Sequence, residues 1–140
     1  MKPLIPLLLC FANAAKACEG LAAAGAWVRE PPPGSVASAA FFTLSNTSAQ
    51  AVSITGWEAR GFGSTMLHET VVEGSTARMV MREKLLVEAG RSIELRPGGL
   101  HLMLMKPAEP VRSGSSVSVT LSCAQGSMVV EAPVLRDSPR

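Results

Sequence analysis

Turn-forming clusters interrupt this chain about every ten residues, which leaves room for short strands and little else. "PPPG" (31–34), "SNTSAQ" (45–50), "EGS" (73–75), "EAGRS" (88–92), "RPGG" (96–99), "RSGSS" (112–116) and "AQGS" (124–127) are all rich in residues that accept turn geometry. The runs between them alternate. In "SVSVTLSC", Val117, Val119, Leu121 and Cys123 fall on one face of an extended strand, and the serines and Thr120 fall on the other. Ile93 and Leu95 alternate with polar neighbours in "RSIELRP", and "AFFTLSN" and "AVSITGW" behave likewise. Eight or nine such segments, with no amphipathic helix past the first seventeen residues, indicate an all-β fold, an antiparallel β-sandwich or barrel.

At 140 residues the chain makes one domain. Residues 1–17, "MKPLIPLLLCFANAAKA", read as a cleavable signal peptide. Lys2 gives the positive start, "LIPLLLCFA" is too short to span a bilayer, and Ala15-Lys16-Ala17 is a small-x-small cleavage site. A lipoprotein reading with Cys18 acylated is weaker, because Ala15 stands where such signals carry Leu. No later segment is long and apolar enough for a membrane span, so the mature chain, domain 18–135 with a short polar tail 136–140, is expected in the periplasm. Of the thirteen Lys and Arg, cleavage removes Lys2 and Lys16, leaving eleven against eleven Asp and Glu. A formally neutral chain lacks the basic face that nucleic acid or an anionic membrane surface requires. Cys18 and Cys123 remain in an oxidising compartment, and we expect them to pair, tying the mature N-terminus to a late strand. The alternative is two separate thiols.

The residues able to hold a metal are unusual. After cleavage there are two histidines, His68 and His101, and six methionines: Met66, Met79, Met81, Met103, Met105 and Met128. "TMLHET" gives Met66-x-His68, "ARMVMR" gives Met79-x-Met81, and "GLHLMLM" gives His101-x-Met103-x-Met105. Each i, i+2 spacing puts both side chains on one face of a strand. Thioethers are soft, neutral donors that suit Cu(I) and are poor ligands for Zn²⁺, Mg²⁺ or Ca²⁺. A set of neutral ligands favours the monovalent ion, and methionine cannot oxidise to a disulfide outside the cytoplasm. Methionine is also a common core filler. Met128 is read as packing, and Met66, Met81 and Met105 stay open between packing, outer groups and alternative ligands. His101 and Met103 are less easily explained as filler, since their strand already has a full face in Leu100, Leu102 and Leu104.

Spacing then brings a family into view. His68 is followed after ten residues by Met79, and after twenty-one more by His101-Leu102-Met103. With "AWVREPPPG" (26–34), "HET" (68–70) and "LRPGGLHLMLM" (95–105), this resembles the periplasmic copper chaperone family PCu(A)C over roughly residues 18 to 135. The resemblance implies a cupredoxin-like antiparallel β-sandwich of Greek-key type that binds one Cu(I) per chain through His68, Met79, His101 and Met103. It also implies copper carriage to respiratory oxidases, with the cytochrome oxidase copper-centre subunit and a Sco-type thiol protein as partners. The Met/His-rich C-terminal extension of some members is absent from "APVLRDSPR".

Rival functions fit less well. His68-Glu69 would need a second histidine at 72 for a zincin motif, and Val72 stands there. No serine lies in a G-x-S-x-G context, and "GFGST" lacks the lysine of a phosphate loop. An enzyme is therefore not expected. A secreted β-sandwich interaction module would explain fold and export but not two histidines in step with methionines. A copper-resistance buffer without a delivery role is the other alternative.

Overall fold

The computed structural model describes residues 18–139, so the expected signal peptide, residues 1–17, lies outside the described residues. Ten strands make up the fold: β1 (Leu21–Arg29), β2 (Ala37–Asn46), β3 (Val52–Ala59), β4 (Phe62–Glu73), β5 (Thr76–Arg82), β6 (Leu85–Val87), β7 (Ser92–Glu94), β8 (Leu100–Pro107), β9 (Ser116–Cys123) and β10 (Gly126–Leu135). They form one hydrogen-bonded path in the order β5-β4-β8-β2-β1-β10-β9-β3-β6, with β7 paired to β2 off that path. The two halves share one core. Val28, Phe42, Leu44, Leu67, Leu102 and Leu104 come from one half, and Ile54, Val119, Leu121, Val130 and Val134 from the other.

The alternation read from the sequence is what builds this. Val117, Val119 and Leu121 of β9 are buried, as are Leu102 and Leu104 of β8. Truncating either leucine to alanine would cost about 2–5 kcal/mol, by lost transfer energy and the cavity left behind. One pairing departs from the antiparallel expectation. β1 and β10 run parallel, with Val28 opposite Val134 and Arg29 opposite Leu135. A parallel pair needs a long crossover. Here the crossover is the whole intervening chain, and the short match joins the two halves of the sandwich.

Cys18 and Cys123 are bonded, with sulfurs 2.09 Å apart, and tie the segment before β1 to the end of β9. The backbone beside this bridge is tight. A Cβ on Gly20, whose φ is +90°, would lie 2.6 Å from Cβ of Ser48, so only glycine fits. Buried Asn46 fastens the same corner, donating to the carbonyls of Gln50 at 2.8 Å and Val87 at 3.0 Å.

Candidate metal centre

The register of three strands gathers the soft donors. His68 of β4 stands directly across from His101 of β8 on one side and from Met81 of β5 on the other. Met66 is across from Met103, which is in turn across from Ala39 of β2. Thr70 is across from Met79. Cross-strand partners and i, i+2 neighbours share a face. Met66, His68, Met79, Met81, His101 and Met103 therefore occupy one face, opposite the core leucines 67 and 102.

The two rings meet edge-on, with centroids 6.0 Å apart. Each is prepared differently. β8 is entered through a tight turn, Arg96-Pro97-Gly98-Gly99, closed by a 3.0 Å bond from the Gly99 amide to the Arg96 carbonyl. Pro97 presets its φ, and Gly98 supplies the φ of +82° that such a turn needs at its third position. The Gly99 carbonyl thereby lies 3.0 Å from His101 Nδ1 and also accepts from the Thr70 amide. A carbonyl only accepts, so Nδ1 carries the proton and Nε2 keeps its lone pair for a ligand. His101 itself is buried.

His68 has no such anchor. Its Nδ1 is a buried nitrogen with no hydrogen-bond partner among the described residues. Burial, and then the neighbouring His101, hold its imidazole below the usual 6.5. A buried polar atom without a partner costs about 1–3 kcal/mol, and a metal ion is one way to satisfy it. The donor set thus fits a soft cation. Among the described residues no three His, Cys, Asp or Glu side chains gather, so hard-ion cages are not what this face offers.

Beside His101 opens a cleft of about 260 Å³, lined by Met79, His101 and Met103 together with Thr70, Phe41 and Arg29. Three of the four residues expected to bind copper therefore face one hollow, and His68, the fourth, is across the strand pair from His101. Met79 is 61 % exposed and lies diagonal to His68, whereas Met81, 58 % exposed, lies directly opposite it. Diagonal partners remain within reach of long side chains. Met105 stands on the same face four residues along from His101, about 13 Å of strand, and is not among the residues lining the cleft. Met128 packs against the core, as its sequence context indicates. Glu69 points to the opposite face, where its carboxylate accepts from Arg82 at 3.0 Å, so the His-Glu pair is split by the strand.

Sequence reasoning did not single out Trp27, Phe41 or Arg29. Trp27 is across from Phe41, the rings are 4.8 Å apart, and Phe41 is 6.5 Å from the His101 ring. "AWVRE" holds the i, i+2 signal for Trp27 and Arg29, but only the β1–β2–β8 register carries it to the histidines.

Known proteins resemble this chain in sequence and in fold. The sequence model of the LpqE-like family, described as lipoproteins, matches residues 21–134. A relative from Leifsonia xyli subsp. xyli, Lxx21020, also named as a lipoprotein, is 32 % identical over 87 % of this chain and 73 % of its own. The solution structure of Cu(I)-DR1885 from Deinococcus radiodurans is 32 % identical, covers 88 % of this chain and 83 % of its own, and superposes with a TM-score of 0.68. The copper-bound PCuAC domain from PmoF2 shares the fold, with a TM-score of 0.72 at 17 % identity over 87 % of this chain and 97 % of its own.

Proposed function

Because this chain belongs to the LpqE-like family of PCu(A)C-type proteins, we propose that it is an exported Cu(I) metallochaperone whose ligands are His68, Met79, His101 and Met103. The observation that carries this is the directly paired His68 and His101, one with a buried nitrogen left open and one with its tautomer fixed, beside two thioethers. The relatives support the cargo: DR1885 is named in its Cu(I) form, and the PmoF2 domain as copper-bound.

Copper is the cargo, so it must be held and then surrendered. Neutral ligands give up the ion without leaving unpaired charge behind. An incoming ligand displaces one thioether at a time, and the ion is never bare. In the periplasm the acceptor is the copper-centre subunit of a respiratory oxidase, served alongside a Sco-type thiol protein. Anaerobic titration against a chromophoric Cu(I) chelator should show one Cu(I) per mature chain. The double variant His101→Ala, Met103→Ala should lose retention at least tenfold, about 1.4 kcal/mol. Equal retention by wild type and this variant would refute the ligand assignment.

A further inference from the structure

One cation at this cleft has no role in holding the metal. Arg29 ends β1 on the same face as Trp27, and its guanidinium carbon lies 5.6 Å from the Trp27 ring centroid and 5.4 Å from that of Phe41. It lines the cleft with Met79, His101 and Met103. Arg78, Arg82 and Arg136 each lie 3.0–3.1 Å from a carboxylate. Among the described residues Arg29 has no carboxylate partner. Its stacking on two rings fixes the charge in place, and among the described residues no acceptor takes the N–H donors at its edge. The cleft, at about 260 Å³, is far larger than a metal ion needs and has room for the end of an incoming ligand.

From these observations we infer that Arg29 is an electrostatic gate that selects negatively charged copper ligands, a thiolate bearing or flanked by carboxylates. The inference rests on the copper reading above. The guanidinium attracts an anionic ligand into the cleft beside Met79 and Met103. The exchange is redox-neutral. A bond from thiolate sulfur to Cu(I) forms, a thioether–copper bond breaks, and the thiol's proton goes to water. A cationic or neutral competitor gains less from the same field.

The test is stopped-flow removal of Cu(I) from the loaded protein under anaerobic conditions by three thiols: 3-mercaptopropionate, 2-mercaptoethanol and cysteamine. Each thiol's intrinsic reactivity cancels in the ratio of wild type to variant. Arg29→Gln should slow removal by 3-mercaptopropionate about tenfold, by 2-mercaptoethanol less, and by cysteamine least. Arg29→Lys should keep the gradient, and added salt should flatten it in wild type. An identical factor for all three thiols, or none, overturns the gate, since a merely structural role would not sort ligands by charge. Peptides carrying cysteine between aspartates or between lysines distinguish the source. A wider spread than with the small thiols assigns the ligand to a polypeptide, and an equal spread assigns it to a free thiol. Copper loading is read first with the chelator. Wild type that binds no Cu(I) defeats the preceding proposal, whereas loaded protein with no charge gradient defeats this one.

Discussion

His68 and His101 are the same residue type on adjacent strands, yet the fold treats them differently. His101 donates its Nδ1–H to the Gly99 carbonyl, while His68 keeps a buried Nδ1 with no partner among the described residues. Burial first, and His101 second, lower the His68 pKa from 6.5. The sign of the consequence follows. In the unfolded chain the imidazole takes up its proton as pH falls past about 6.5, whereas in the folded chain it resists until lower pH. Its contribution is therefore fully present above 6.5 and is lost as pH falls from there through the folded-state value. Urea midpoints of the copper-free protein at pH 7.5 and pH 5 read this directly. Wild type should lose more stability over that interval than His68→Gln, whose side chain does not titrate. An equal loss in both would show that His68 is not the group responsible. The same lowering keeps the ring neutral, with a lone pair to offer, at a pH where an ordinary histidine would already be protonated.

The hairpin of β4 and β5 shows how far an element can be read before its partners are known. "TMLHETVVEGSTARMVMR" announces two alternating runs around a glycine turn, and both strands form there. The faces were legible as well, because the period of two needs only the local letters. Register was not, since a shift by one residue moves a whole strand face and depends on contacts distant in sequence. It is register that sets Met81, and not Met79, opposite His68. Register also carries Trp27 and Phe41 up to His101. The bridge between Cys18 and Cys123 was readable from parity and compartment, whereas the parallel β1–β10 match rests on two residue pairs and leaves no trace in composition. The hairpin supplies its own test. If the cleft side is the metal side, Met79→Ala should weaken Cu(I) retention by about tenfold, ~1.4 kcal/mol. Met81→Ala should cost clearly less, because Met81 is not among the residues lining the cleft. The reverse order in a chelator competition would move the fourth ligand to Met81 and leave the histidine pair untouched.

Across the whole molecule the proposed metal face and the disulfide corner are separate. The hollow beside the bridge is lined by Cys18, Ser48, Gln50 and Cys123 and shares no residue with the cleft at His101. The bridge spans 105 positions of sequence, so it closes a loop containing nearly all of the described chain. A cross-link of that reach acts mainly by restricting the unfolded ensemble, worth about 2–4 kcal/mol for typical bridges. The proposed copper ligands stand on β4, β5 and β8, which the bridge does not touch. Replacing both cysteines by serine should therefore lower unfolding stability by about 2–4 kcal/mol while one Cu(I) is still held with wild-type affinity at a temperature where the variant is folded. Serine is preferred over chemical reduction because free thiolates would themselves compete for Cu(I). Denaturant melts and chelator competition on the same sample separate the two quantities. Affinity falling in step with stability, in protein still folded by circular dichroism, would mean that the corner and the cleft form one cooperative unit, and the independence argued from their linings would be wrong.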